Sequence, residues 1–421
     1  MIDINLIRKD PEKIKKACAA KNVKVDIDKF LELDQMRGKL IKESDDLRAE
    51  QNKIGKEIQI LQQAGKKEEM PAIIGKSKII KEKIKKLEPN LQNTEKAWKE
   101  ILLIIPNPAA DDVKIGKDES ENEVIKKWGK VTKFTFKPKE YMELAKKLDL
   151  IDTERAAKVS GTRFGYIKNQ AVILEFALIR FAFDILQKEG FTPILPPVLI
   201  KKEVMEASGH LMPWDIDERY HLPKDDLFLV GTSEQSVVPY YMGETFEEKD
   251  LPKRFVAFST CFRREAGSYG KDTRGILRVH QFNKVEMVSL VLPEESIKEH
   301  EFLLKMEEKL MQSLKLPYQV IKMCTGDLGA SAAKKYDIEA WVPSENKYRE
   351  THSTSNCTDF QSRRLNIRLK RKGGLEFVHM LNGTVFSERP LLAILENYQQ
   401  KDGSIKVPSV LQKYCGFKKI S

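Results

Sequence analysis

Cysteine is scarce in this 421-residue chain, and the five present, at positions 18, 261, 324, 357 and 415, are widely scattered. An odd number at such intervals offers neither a disulfide framework nor the paired spacing of a zinc site. Long apolar runs are missing too. The densest, Ile101-Leu102-Leu103-Ile104-Ile105, is far too short to span a bilayer. The opening stretch, Met1 to Asp10, lacks the continuous apolar core of a secretory leader. Reduced thiols, a cytoplasmic location and no membrane partner are therefore expected. Low-complexity tracts are absent, and the only repeat is a heptad pattern near the N-terminus.

What the chain has in abundance is charge. At 33% charged and 41% hydrophobic residues it has the composition of a soluble globular protein, long enough for two or three domains. A net charge of +11 and a pI near 9.1 favour a polyanionic partner, although a lysine-rich genome leaves the same mark. Residues 5–20 predict a short opening helix. From about 27 to 105 the pattern predicts two long helices folded back on each other. Leu33, Leu40, Leu47, Ile54 and Leu61 recur every seven residues. On the return, Ile73, Ile80, Leu87 and Ile101 keep one such register, and Ile84, Leu91 and Trp98 a second. Heptads sustained this long predict a left-handed antiparallel coiled coil. Its tip is expected near Gln62 to Lys67, with Pro71 in the first turn of the returning helix. Thirty-five helical residues reach roughly 50 Å, too long for a compact domain, so the arm should project. Residues 51–100 hold 12 lysines against 7 acidic residues, with Lys76, Lys78, Lys81, Lys83, Lys85 and Lys86 on the return. Such a face is either a solvated flank or a surface that tracks phosphates.

Pro106-Asn107-Pro108 ends the arm, dividing the chain into domains of 1–108 and 109–421. Residues 109–135 read as a polar connector. An amphipathic helix is predicted over about 168–188 from Ala171, Leu174, Leu178, Phe181 and Ile185. The most informative segment runs from Thr260 to Met287. Two strand-like runs, 254–265 and 276–290, flank a charged loop carrying Gly267, Gly270 and Gly275, which predicts a long β-hairpin. Alternation puts Arg263 and Glu265 on one face of the first strand, and Arg278, His280, Phe282, Lys284 and Glu286 on one face of the second. Unpaired charges are costly to bury, so this face should meet a charged ligand or water. Phe282 and Glu286 lie about 13 Å apart, the span from a nucleotide base to an acyl group beyond the α-phosphate.

These residues resemble motif 2 of the class II aminoacyl-tRNA synthetases, in the wording of the bacterial-type seryl-tRNA synthetases. That family reads F-R-S-E-A-G, then D-T-R-G, then R-V-H-Q-F-x-K-V-E; here Arg264 replaces a small residue. Residues 190–199 resemble motif 1, the dimer-building element, although a proline-interrupted edge strand would read the same. Residues 377–399 resemble motif 3, a strand followed by a helix. The resemblance implies an α+β fold: an N-terminal antiparallel two-helix coiled coil plus an antiparallel β-sheet flanked by helices. It implies a homodimer that activates L-serine with ATP and Mg²⁺ and loads tRNA-Ser. It also admits tRNA-Sec where the genome encodes it. The basic arm would recognise the long variable arm of tRNA-Ser by shape.

Activation joins two anions, the serine carboxylate and the α-phosphate of ATP. The chemistry therefore calls for cations and metal-binding oxygens rather than a protein nucleophile. By resemblance, Arg263 and Arg389 are the catalytic arginines, on the α- and γ-phosphates. Glu265 and Phe282 would address adenine, with Arg264, Arg278 and Val279 also on the nucleotide. The run Glu350-Thr351-His352-Ser353 would contact ATP, Glu350 and Ser353 holding the metal. Serine would be held by Thr232, Ser233, Glu234, Arg263, Glu286 and Thr384. The family pattern is broken in motif 3, where the interval from Asn382 to Arg389 is one residue short. There Glu388 replaces a neutral residue and is expected to offset part of the charge of Arg389. His352 stands where the family has a small residue. Tyr141 stands where it often has histidine, and the sequence assigns it no role. Two rival readings stay open: a non-catalytic RNA-binding paralogue, and a ligase that loads an amino acid onto a carrier protein.

Overall fold

The computed structural model describes every residue except Lys67 and 267–273. Lys67 at the predicted arm tip, and Gly267 and Gly270 of the predicted hairpin loop, thus lie outside the described residues. The chain forms two compact units: residues 2–19 with 23–106, and Met1 with 20–22 and 107–421.

In the first unit the expected opening helix is two helices, α1 (Ile4–Lys9) and α2 (Pro11–Ala20). Pro11 has no N–H to continue α1 but suits the start of a new helix. Two long helices come next, α3 (Ile27–Gln63) and α4 (Met70–Ile104). Asp26 caps α3 by accepting the Lys29 N–H at 2.8 Å, and Pro71 sits in the first turn of α4. The heptad residues Ile54, Leu61, Ile80 and Leu87 are buried between the pair. Arg37 pairs with Glu95 at 3.1 Å and Arg48 with Glu88 at 3.5 Å, so the helices run antiparallel. Buried Ser44 and Thr94 also belong to the seam, polar members that an apolar heptad search passes over. At the base, Trp98 stacks on Phe30 with 5.9 Å between ring centroids. Its indole N–H donates to Asp34, which also pairs with Arg8 at 2.7 Å. Lys76, Lys78, Lys81, Lys83, Lys85 and Lys86 of the returning helix are all exposed, as are Lys96 and Lys99 nearer its end.

The second unit is built on an eight-stranded sheet. In chain order its strands are β1 (Glu123–Trp128), β2 (Thr192–Ile194), β3 (Lys253–Phe262), β4 (Gln281–Val291), β5 (Tyr318–Lys322), β6 (Lys334–Val342), β7 (Lys347–Asn356) and β8 (His379–Phe386). Across the sheet they lie β1-β5-β6-β7-β8-β4-β3-β2. Every pairing is antiparallel except the last, where edge strand β2 runs parallel to β3. The expected connector at 109–135 thus contributes an edge strand. β1 has only one neighbour to bury it, and its exposed, mixed face hides it from a periodicity search.

Four helices of this unit matter for the site: α5 (Tyr141–Lys147), α6 (Asn169–Lys188), α7 (Ser296–Ser313) and α8 (Glu388–Asn397). Val285 and Met287 of β4, Ile338 of β6 and Leu381 and Val385 of β8 pack with Leu174, Leu178, Leu310 and Leu391 in the main core. The opposite sheet face has two parts. Toward one end Ala257, Val288, Leu290 and Met380 form a second apolar core with Phe246, Ile367 and Leu369. Toward the other end the same alternation presents Phe282, Lys284, Glu286, Thr384, Ser353 and Lys335. No helix among the described residues is long and apolar enough to cross a membrane.

Candidate active site

The polar end of that face floors a cleft of about 320 Å³. Phe282 and Lys284 come from β4, Thr384 from β8, Ser353 from β7 and Lys335 from β6, so neighbouring strands each lend alternate residues. Arg263, Glu265, Arg278, Val279, Glu350, Thr351 and Arg389 stand in the walls, together with Ile276, Leu277, Ser387 and Glu388.

The hairpin differs from its sequence pattern. β3 ends at Phe262 and β4 begins at Gln281, so Arg263, Glu265, Arg278 and His280 are not strand residues. Pairing between the two limbs persists one step past β3, where the Arg263 N–H donates to His280 O at 2.9 Å, but the Phe262 N–H donates to Val230 O at 2.8 Å and the Arg264 N–H to Glu218 O at 3.0 Å, outside the hairpin. Glu265 takes a left-handed φ of 53°, which ends the alternation. Arg263, Glu265 and Arg278 nonetheless meet at the cleft. Arg263 donates its Nε to Gly231 O at 3.1 Å and lies 5.1 Å from the centre of the Phe282 ring. Arg278 pairs with Glu265 at 2.7 Å, a contact that the sequence does not announce. His280 turns away, packing on Phe164 and Tyr220. Arg264 also leaves the cleft, its guanidinium 5.8 Å from the centre of the Tyr220 ring, so its expected nucleotide contact is not supported.

On the opposite wall Arg389 pairs with Glu350 at 2.9 Å. Burial works against the Glu350 carboxylate, yet Arg389 and Lys335 hold it down to about 2. Arg389 is correspondingly held in its charged form by Glu350. Glu388 does not neutralise Arg389 as expected. Ser387 caps α8, and Glu388 reaches back to β4, accepting the Asn283 N–H at 2.6 Å. Burial, with Glu175 nearby, pushes its carboxyl up to about 8, so it bears little charge near neutrality. His352 is the second correction. It is buried on the far side of β7 against Phe386, with Nδ1 2.8 Å from the Thr351 hydroxyl, and does not line the cleft. Burial lowers its imidazole to about 3, so it is neutral.

Behind Phe282 the predicted serine residues gather in a buried recess. Lys284 Nζ lies 2.7 Å from Glu286 and 3.1 Å from the Thr232 hydroxyl. Glu286 sits opposite Thr384 in the β4–β8 register. Burial pushes the Glu286 carboxyl up to about 7 against the pull of Lys284. Glu234 accepts from Gln361 Nε2 at 2.8 Å and faces His210 at 3.4 Å. Burial opposes its ionised form, but His210 and Gln361 bring its pKa below the ordinary value. Thr232, Ser233, Glu234 and Glu286 are all buried and none lines the cleft; of the predicted serine residues only Arg263 and Thr384 do. Lys284 has no role in the sequence reading, although its place midway between Phe282 and Glu286 on one strand face was signal enough. Nothing local points to His210, Gln361 or Lys335, which reach the site only through the fold.

Among the described residues no three His, Cys, Asp or Glu side chains gather as a metal-binding group. Glu350 and Ser353 offer oxygen donors on the cleft wall, and the low pKa keeps Glu350 ionised. That set suits a hard cation that completes its coordination with phosphate oxygens and water.

Comparison with known proteins matches two stretches of the chain. Residues 1–109 match the seryl-tRNA synthetase N-terminal domain, and residues 219–398 the class II core domain of the tRNA synthetases for G, H, P, S and T. A serine–tRNA ligase of Dictyoglomus turgidum is 45% identical over 427 aligned positions, covering 100% of this chain and 99% of the relative. A seryl-tRNA synthetase from Pyrococcus horikoshii, crystallised with ATP, superposes with a TM-score of 0.90 at 41% identity, covering 100% of this chain and 99% of that one. A cytoplasmic serine–tRNA ligase from Naegleria fowleri in complex with AMP gives 0.86 at 34% identity, with the same coverage.

Proposed function

This chain belongs to the seryl-tRNA synthetases, class II serine–tRNA ligases, and from that premise we propose how its cleft joins serine to ATP. Adenine lies against Phe282 at the Glu265 end of the cleft, with Val279 contributing backbone. Arg263 holds the serine carboxylate and the α-phosphate, and Arg389 the γ-phosphate, with Arg278 and Lys335 adding positive charge. A serine carboxylate oxygen attacks the α-phosphorus, and pyrophosphate leaves from the opposite side. The arginines offset the charge that builds between these anions, so positioning and electrostatics account for the rate. Glu350 and Ser353 would hold Mg²⁺, which when bound neutralises phosphate charge. The 3′-terminal ribose hydroxyl of tRNA-Ser then attacks the seryl carbonyl and releases AMP. The observation that supports this reading most is the convergence of Arg263, Arg278, Lys284, Lys335 and Arg389 on one cleft beside Phe282.

Serine selectivity rests on the recess. The hydroxyl of serine binds Glu286 and Thr384, and its ammonium group binds Thr232 and Glu234. Alanine would leave those buried polar groups unpaired, a large penalty. The exposed lysines of α4 from Lys76 to Lys86 suit the backbone of tRNA-Ser, which makes binding salt-dependent. Residues 1–108 and 109–421 act as the tRNA-binding and catalytic domains. The functional unit is a homodimer. Ile173 and Phe176 of α6 are exposed, and Leu195, just past β2, is 76% exposed, an apolar surface of the kind that mates with a partner.

ATP–pyrophosphate exchange tests the assignment. Of the twenty amino acids, serine alone should support efficient exchange. Because burial pushes the Glu286 carboxyl up to about 7 and its ionised form accepts the serine hydroxyl far more strongly, kcat/KM for serine should fall as pH drops. The limiting slope is about tenfold per pH unit below that point. A profile flat from pH 8 to 5.5 would remove Glu286 from serine recognition.

A further inference from the structure

We propose that Tyr141 is a positioning residue for the nucleotide half of the reaction, holding the returning limb of motif 2 against the motif 3 helix. The proposal rests on the reading of the cleft as the ATP site. Tyr141 opens α5 and is buried. Its hydroxyl oxygen accepts the Ile276 N–H at 2.9 Å, a bond that joins segments 135 positions apart. Its own backbone N–H donates to Glu396 Oε1 at 2.9 Å, on α8. Glu396 is itself fixed, accepting from the Ser344 hydroxyl at 2.9 Å and the Ser344 N–H at 3.0 Å. One residue thus ties Ile276 to α8, the helix that carries Arg389 in its first turn.

The tie matters because Leu277, Arg278 and Val279, immediately beyond Ile276, all line the cleft. Arg278 and Val279 are loop residues without a strand partner to fix them, so their placement depends on anchors such as this one. The approach is close enough to dictate the residue beside it. Gly275 has a φ of +73°, and a Cβ there would lie 1.9 Å from the Tyr141 oxygen and 2.7 Å from its Cζ. Only glycine accommodates both the backbone conformation and the ring. Burial pushes the Tyr141 hydroxyl up to about 12, so the phenol stays neutral across the working range. Tyr141 and Leu277 also wall a small void with Glu350 and Arg389, which places the anchor directly behind the opposite wall.

Phenylalanine at this position keeps the ring but leaves the Ile276 N–H without its acceptor. In serine-dependent exchange, Tyr141→Phe should raise KM for ATP about tenfold, the weight of one buried hydrogen bond, with KM for serine unchanged. Gly275→Ala should reproduce the ATP-specific defect from the other side of the contact. The double variant should lose less than the product of the two single effects, because both act on one contact. A wild-type KM for ATP accompanied only by a lower Tm would make Tyr141 merely structural and overturn the proposal. So would an equal rise in both KM values. Serine-dependent exchange by the unaltered enzyme, run alongside, tests the cleft reading separately.

Discussion

Arg263→Ala is expected to lower the rate of seryl-adenylate formation by about 10³-fold, while leaving the affinity for tRNA-Ser nearly intact. The size reflects the work of the guanidinium. It is aimed by the Gly231 carbonyl and lies over Phe282, where the α-phosphate and the serine carboxylate would meet. Two anions brought together in a partly desolvated cleft repel strongly, and a planar bidentate donor between them offsets that repulsion best where charge is building. Lysine at this position would keep the charge but lose the two-pronged geometry, so Arg263→Lys should recover only a small part of the activity. The four other cations of the cleft remain in either variant, which confines the loss to the reacting end. Exchange assays with titrated serine and ATP, paired with filter binding of tRNA-Ser, measure both halves. Unimpaired exchange by the alanine variant would remove Arg263 from the reaction.

Deleting residues 40–90 should have the opposite effect. Adenylate formation is expected to be spared, while kcat/KM for tRNA-Ser falls by about a thousandfold, the weight of several lost phosphate contacts. The cut removes six of the eight exposed lysines of α4 but keeps the base of the helix pair, where Arg37 meets Glu95 and Trp98 stacks on Phe30. The remaining helices therefore retain their anchoring contacts. Salt dependence supplies a second readout: the truncated enzyme should show a shallower decline of tRNA affinity with ionic strength than the intact one. Efficient charging by the truncated enzyme would contradict a tRNA-binding role for the arm.

Much of this architecture was legible in the sequence, and the exceptions share a physical cause. The helix pair declared itself because a seven-residue apolar period persists along both helices, and both helix starts bear local signals in Asp26 and Pro71. The cleft face of β4 was visible because Phe282, Lys284 and Glu286 alternate with Val285 and Met287, which belong to the core. The strand ends were not. Val230 and Glu218 capture the N–H groups of Phe262 and Arg264, and no window around the hairpin contains either. The same holds for Glu388, whose local sequence sets it beside Arg389 but whose side chain turns to Asn283 once Ser387 caps the helix. His352 looked like part of the Glu350–Ser353 run, yet on a strand its side chain points opposite to its neighbours. Glu234, His210 and Gln361 come together from segments up to 151 positions apart (210 to 361), a distance at which only tertiary packing brings side chains into register. The edge strand β1 was hidden for a related reason: with one neighbour and an exposed face, its identity depends on β5.

Family membership fixes the reaction, but the residue roles stand on the cleft, and a crystal structure with a nonhydrolysable seryl-adenylate analogue tests them together. Those roles require the adenine ring stacked on Phe282, the phosphoryl group within hydrogen-bonding distance of Arg263, and the seryl hydroxyl between Glu286 and Thr384. An analogue bound elsewhere, or bound here with its seryl group turned away from the Lys284 recess, would contradict them.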